Sequence, residues 1–341
     1  MKALVARELK GIESLRMEDY PDAKPGPGEV VIGVRAAALN GRDVRIVAGR
    51  YPQPPAVPLI LGSDVAGVVE ATGPGVARPK VGDAVVLHPG HGCLTCEWCL
   101  SGREYFCPDY RWLGVQRPGG FAERIAAPAR LALPKPEGLS FEEAASFPLT
   151  FLTAWHTLVT RGGARAGEDV LVLAASSGVG VAAVQMAKLV GARAIACTSG
   201  GKVEKAKALG ADEVVDYSSG RFAERVRALT GGRGADLIFD TVAGPTFGES
   251  LACLKPGGRL AVCGSSAGRE VEFPVGNLYM KRQSVIGAGM GPRSEFPLMC
   301  RLIEEGKLRP VVDSVRPLSE GKAALRRMAD RAMFGKLVVT P

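Results

Sequence analysis

A chain of 341 residues has room for two domains of ordinary size, and its make-up of 46% hydrophobic and 23% charged residues excludes a disordered or fibrous protein. The net charge of +8 arises from Lys and Arg spread along the chain without a run of five or six, so nucleic acid is not an expected partner, while a modest positive field suits an anionic small molecule. No window of eighteen uninterrupted apolar residues occurs, and MKALVARELKG lacks an apolar signal core, so a cytoplasmic protein without a membrane partner is expected.

From Met1 to about residue 130, short alternating stretches (EVVIGVRAAAL, DVAGVVEATG, GDAVVLHP) are bounded by Gly and Pro turns such as KPGPGE and GPGVARPKVGD. This pattern predicts a small, irregular all-β domain. Near its end, four of the eight cysteines, Cys93, Cys96, Cys99 and Cys107, follow C-x2-C-x2-C-x7-C. In a reducing compartment such clustering favours a metal over disulfides, and four thiolates from one loop close a tetrahedral zinc shell with no vacancy for substrate. A structural zinc is therefore expected. The remaining cysteines, Cys197, Cys253, Cys263 and Cys300, are scattered in apolar segments and read as small core residues.

From about Glu168 the rhythm changes to strands and helices in alternation: DVLVLAA, VGVAAVQMAKLVGA, RAIACT, KVEKAKALGA, EVVDY, FAERVRALTGG, ADLIFDTV and GRLAVCGS. Continuous apolar strands with helices between them predict a doubly wound parallel sheet. The first strand-to-helix turn, Ala175, Ser176, Ser177, Gly178, Val179 and Gly180, places Ala175, Ser177 and Gly180 at the three positions of the G-x-G-x-x-G fingerprint, where backbone N–H groups and a helix N-terminus receive a pyrophosphate. With two of the three glycines replaced, the motif rests on its strand-turn-helix-strand context.

The second strand ends in RAIACTSGGKVEK, without the Asp or Glu that holds a ribose 2′-hydroxyl in NAD sites. Thr198, Ser199 and Lys202 offer hydroxyls and a cation instead, which favours NADPH with NADH still open; the plain alternative for Lys202 is a solvated helix residue. Asp240 and Gly244 sit at the carboxyl end of the next strand, where such sheets bind ligands, and Gly264 lies near the end of GRLAVCGS, at the same edge. The tail adds a strand-like SVIGAGM, helical stretches around FPLMCRLIEEG and KAALRRMAD, and a last strand, GKLVVTP.

The cysteine lobe between a β domain and a nucleotide-binding domain resembles the medium-chain dehydrogenase/reductase superfamily over essentially the whole chain. That resemblance implies an α/β fold, a Rossmann doubly wound parallel sheet plus an N-terminal GroES-like irregular β-barrel domain. The expected boundaries are 1–129 with the zinc lobe at 91–110, 130–269 for the Rossmann domain, and 270–341, which adds a late Rossmann strand and returns to the first domain. Zinc alcohol dehydrogenases of the superfamily hold a second, catalytic zinc with a Cys, a His and a further Cys or acid. This chain departs from them with Asn40 in LNGRDV, Ser63 and Asp64 in LGSDVAG, and Leu149 in FPLTFLTAW. An open catalytic zinc site is not expected from such a ligand set. His88, His91 and His156 do not restore it.

The segments AAALNGRDVRIVAGRYP, FPLTFLTAWHTL and SGVGVAAVQMAK resemble the quinone oxidoreductase branch. The resemblance implies hydride transfer to a quinone or α,β-unsaturated carbonyl, a homodimer or homotetramer, Asn40 and Tyr51 at the reacting group, Thr150 and Asn277 near the nicotinamide, and Tyr217 near the adenosine phosphate. Plain readings stand beside these: Asn40 caps a turn, Tyr51 packs its ring, Tyr217 faces the core, and Asp43 serves a salt bridge. A zinc-type alcohol dehydrogenase and a non-catalytic, RNA-binding crystallin-like protein are the two rivals.

Overall fold

The computed structural model describes residues 1–219 and 221–341, and the chain divides into two compact units. The first comprises residues 1–149, 292–306 and 310–341; the second comprises 150–291 and 307–309.

In the first unit, Glu29–Ala38 is the central strand, buried at nearly every position and paired antiparallel with Asp64–Thr72, with Arg124–Pro128 and, at its far end, with the C-terminal strand Lys336–Thr340. Its run of Val, Ile and Ala fits a strand covered on both faces. The sheet continues outward through Ala84–Leu87 and Ala132–Pro134 on one side and Val312–Pro317 on the other. A smaller sheet joins Leu15–Asp19, Lys2–Ala6 and Leu59–Ile60. Leu4, Ile32, Val65, Phe121, Leu131 and Leu337 are among the side chains that fill the core between these elements. The tail thus enters the first unit as a strand: Val338 lies opposite Ala38, and the Leu39 N–H donates to the Leu337 carbonyl at 2.9 Å.

The second unit is built on six parallel strands in the spatial order Glu213–Asp216, Arg193–Thr198, Asp169–Val172, Ala235–Asp240, Leu254–Val262 and Ser284–Gly287. In chain order this is 3-2-1-4-5-6, the doubly wound arrangement with its switch point beside the first strand. Asp169–Val172 is buried along its whole length. The helices Gly178–Leu189, Val203–Ala208, Phe222–Leu229 and Phe247–Cys253 alternate with the strands, and Leu171, Ile195, Phe222, Ile238 and Phe247 form part of the core on one side. Among the described residues no helix is long and apolar enough to cross a membrane.

Candidate active site and metal centre

The cysteine lobe assembles from one loop. The Sγ atoms of Cys93, Cys96, Cys99 and Cys107 all lie within 4.8 Å of one another, with Cys93 and Cys99 at 4.0 Å. Four sulfurs around one zinc at a Zn–S distance of about 2.3 Å stand roughly 3.8 Å apart, so the cluster fits a tetrahedral zinc. Gly92 is required by this geometry, because a Cβ there would come 2.5 Å from the Cys99 sulfur. The Thr95 hydroxyl at 3.4 Å and the Thr95 and Cys96 N–H groups point at the Cys93 sulfur and draw its thiol down to about 6, whereas burial pushes Cys99 up to about 12. Among the described residues this is the one group of three or more His, Cys, Asp or Glu side chains placed to hold a metal.

At the residues that depart from the zinc-ligand pattern the chain builds something different. The Lys336 ammonium, delivered by the first residue of the C-terminal strand, donates to Asn40 Oδ1 at 2.7 Å and to Asp64 Oδ2 at 2.8 Å. Asn40 Nδ2 donates to the same Asp64 oxygen at 3.0 Å and approaches Ser63 Oγ at 3.5 Å. The other Asp64 oxygen accepts from the Leu149 N–H at 2.9 Å. Asp64 is fully buried, and Lys336 is 3% and Asn40 6% exposed. A buried carboxylate this closely paired has its lone pairs satisfied.

The helix Gly41–Val47 starts directly after Asn40, whose N–H donates to the Asp43 carboxylate at 2.8 Å. Asp43 therefore caps a helix and forms no ion pair among the described residues, a correction to the salt-bridge reading; burial raises it to about 6 despite the opposing charge of Arg42. Arg42, itself buried, lies over the Trp112 ring at 4.4 Å. Tyr51 is half-buried with its ring on the core of this unit. His88 is fully buried beside the Phe296 ring, with Nδ1 at 2.6 Å from the Gly90 carbonyl, and burial lowers it to about 4. His91 makes a 3.1 Å contact to the Gly92 carbonyl within the lobe.

In the second unit, Ser177 is the N-cap of the helix Gly178–Leu189, its hydroxyl accepting from the Gly180 N–H at 3.0 Å. A Cβ on Gly180 would stand 2.3 Å from the Ala174 carbonyl, so the third fingerprint position needs glycine for the helix to approach the strand. Ala175 is buried, with its N–H bound to the Cys197 carbonyl, while Ser176 and Val179 remain partly open. The Lys202 ammonium stands 3.4 Å from Ser176 Oγ, at the end of the second strand near Thr198 and Ser199.

Two buried polar atoms at this sheet edge have no partner among the described residues: Thr198 Oγ1 and Asp240 Oδ2. The other Asp240 oxygen accepts from the Val242 and Ala243 N–H groups at 2.7 and 2.9 Å. The turn, the glycine approach and the two unpartnered oxygens fit a dinucleotide, and Ser176, Ser177, Gly178, Thr198, Lys202 and Asp240 are the groups that would hold it. Gly264 packs against the Thr241 carbonyl, Tyr217 is exposed in the turn Tyr217–Ser219, Thr150 is buried in the helix Pro148–Trp155, and Asn277 is exposed on the helix Val275–Met280. The core-facing alternative for Tyr217 is thereby overturned. His156 is buried in the π-helical stretch His156–Arg161.

Two residues escaped the sequence reading. Lys336 opens an apolar terminal strand, where a lone charge reads as a solvated end; only the pairing with Glu29–Ala38 turns it inward. Asp216, from the third strand of the second unit, comes beside Gly200, where a Cβ would stand 2.5 Å from its Oδ2. The end of the second strand thus has an acid after all, although Ser218 already donates to that carboxylate.

Residues 26–137 match the alcohol dehydrogenase GroES-like domain and residues 178–305 the zinc-binding dehydrogenase domain. The chain is 32% identical to an acryloyl-coenzyme A reductase of Sulfurisphaera tokodaii, with both chains covered completely, and 31% identical to an alcohol dehydrogenase of Geobacillus stearothermophilus over 99% of each. The crystal structure of an NAD-dependent alcohol dehydrogenase matches with a TM-score of 0.96 and 45% identity over all of both chains. A GroES-like domain, a 3-2-1-4-5-6 sheet and full-length relatives make this chain an oxidoreductase of the medium-chain dehydrogenase/reductase superfamily, with the features of its zinc-type alcohol dehydrogenase members.

Proposed function

We propose that the protein is an NADPH-dependent reductase of activated acceptors, an α,β-unsaturated carbonyl or a quinone, that works without a catalytic zinc and keeps one structural zinc in its cysteine lobe. The observation that carries this reading is the Lys336 cluster. The residues standing where relatives place zinc ligands supply an amide, a hydroxyl and a carboxylate already neutralised by an internal ammonium. That donor set is a poor cage for a divalent metal.

Bound NADPH supplies the hydride. Without a Lewis acid, an acceptor whose developing charge is delocalised is the better substrate, because its enolate or hydroquinone oxygen needs only hydrogen-bond donors. Hydride adds at the β-carbon, the C=C pair moves toward the carbonyl, and a proton then adds at the α-carbon. Asn40 is the donor we assign to the oxygen: one of its amide protons is held by Asp64, and the other faces Ser63 only at 3.5 Å. Tyr51 is assigned the proton relay and Thr150 the nicotinamide contact. The resemblance to an acryloyl-coenzyme A reductase brings enoyl thioesters to the front of the acceptor class.

Lys202, with Ser176, Thr198 and Ser199, supports NADPH. Asp216 beside Gly200 favours NADH as a second reading. Fluorescence titration decides: Lys202→Ala should weaken NADPH by about 1–3 kcal/mol and leave NADH nearly unchanged. Equal losses would move Lys202 away from the 2′-phosphate.

A homodimer is proposed through the second unit. Among the described residues the outer strand Ser284–Gly287 pairs on one side only, and Val275, Tyr279, Met280 and Val285 beside it in sequence are exposed. An open apolar edge of this kind is normally covered. Met280→Asp should lower the mass measured by light scattering. A panel of enoyl thioesters, enones, quinones, aldehydes and alcohols, followed by nicotinamide absorbance with zinc measured in the same sample, tests the whole reading. Alcohol oxidation that depends on a second zinc per chain would overturn it.

A further inference from the structure

We infer that Lys336 is a positioning residue that sets which way the Asn40 amide points, and so decides whether a donor or an acceptor faces the substrate oxygen. The inference rests on the assignment of Asn40 to that oxygen. An amide in an isotropic pocket has two orientations related by a half-turn about χ2. Here they are far from equivalent, because ammonium only donates and carboxylate only accepts. Lys336 Nζ sits 2.7 Å from one end of the amide and Asp64 Oδ2 3.0 Å from the other. Turning the amide over would put NH2 against NH3⁺ and C=O against COO⁻. Both contacts would be repulsive in a region where Asp64 is fully buried and Lys336 only 3% exposed, so little solvent is present to screen them.

Three consequences follow from that lock. Asn40 Nδ2 is held on the Ser63 and Asp64 side, and its second proton has only a long contact to Ser63 Oγ. The ammonium on Oδ1 polarises the amide, which strengthens the opposite N–H as a donor. The Asp64 charge, which would otherwise oppose negative charge growing on a nearby oxygen, is balanced within the cluster. A donor prepared in this way contributes mainly as charge develops, which predicts an effect on kcat more than on KM.

Two variants separate positioning from folding. Lys336→Met alone leaves a buried carboxylate unpaired and is expected to destabilise the protein. Asp64→Asn combined with Lys336→Met removes both charges and should melt close to the wild type, yet it leaves the Asn40 amide free to turn. With crotonyl-coenzyme A and NADPH, the double variant should show kcat lowered by about 10- to 100-fold and KM changed less than about threefold, part of the loss expected for one missing oxyanion donor. Asn40 and Asn277 are the two asparagines of the chain, so selective ¹⁵N-asparagine labelling gives two side-chain NH2 pairs in the wild type and a third, introduced by Asp64→Asn, in the double variant. The pair that Asn40→Ala removes, assigned by adding Asn40→Ala to the wild type and to the double variant separately, should move between the two proteins, and the Asn277 pair should not. A kcat within about twofold of the wild type, or an Asn40 signal that stays in place, overturns the inference. The NMR arm needs no turnover, so a wild-type enzyme inactive on every activated acceptor would defeat the proposed function and leave the orientation of Asn40 to be read on its own.

Discussion

The cysteine lobe and the Lys336 cluster lie in the same unit and solve opposite problems. In the lobe, four thiols within 4.8 Å of one another gather groups that become mutually repulsive once ionised, so the arrangement is stable only around a cation brought from outside. In the cluster, the cation is covalently part of the chain: Lys336 meets Asp64 and Asn40 directly and the polar groups satisfy each other. One region is open to metal exchange and chelation; the other has its charge balance built in. One unit of one fold thus carries both a cysteine cage placed to hold a metal and a side-chain ammonium that neutralises a buried carboxylate.

The largest expected effect falls on the lobe. Cys99→Ser should remove the zinc, about one per chain by elemental analysis, and cost more than about 4 kcal/mol in denaturant unfolding, the range associated with loss of a structural metal. A variant that keeps its stability would break the distinction between the regions. Next comes the cluster: Lys336→Met should cost about 3–5 kcal/mol by leaving Asp64 buried without its partner, and adding Asp64→Asn should recover most of it. Because the two regions draw their charge balance from different sources, the Cys99 and Lys336 losses should add in a double-mutant cycle.

A smaller effect tests the link between them. Arg42 caps the Trp112 ring next to the hairpin Gly90–His91/Arg111–Trp112, and it is the foremost cation opposing the burial of Asp43. Arg42→Met should lower stability by about 1–2 kcal/mol through the lost cation–π contact and raise the Asp43 titration further, as seen by carboxyl NMR. The smallest effect is a near-cancellation in pH. Asp43, raised to about 6, makes the folded state bind more protons than the unfolded one above pH 3.8, so its contribution falls as pH rises toward 6. His88, lowered to about 4, makes the folded state bind fewer protons below pH 6.5, so its contribution rises over nearly the same interval. Wild-type stability should therefore vary little between pH 4 and 6 from these two groups. Asp43→Asn should leave a curve that climbs with pH through that range, measured by urea midpoints.

Sequence alone determined the elements whose information is local. The spacing of Cys93, Cys96, Cys99 and Cys107 places four thiols on one short loop, and apolar runs separated by amphipathic helices dictate a parallel sheet because its central strands, such as Asp169–Val172, are buried on both faces. Gly180 was likewise legible, since a helix packed on its strand leaves no room for a Cβ. The tertiary structure decided what depends on distant residues. Lys336 and Asn40 are 296 positions apart and meet only because the last strand pairs with Glu29–Ala38. Asp216 reaches the end of the second strand from its neighbour, and Asp43 turned from an expected ion pair into a helix cap. Local patterns record propensity, burial and loop geometry, whereas the partner of a buried charge is chosen by which strands lie side by side, and no local pattern records that choice.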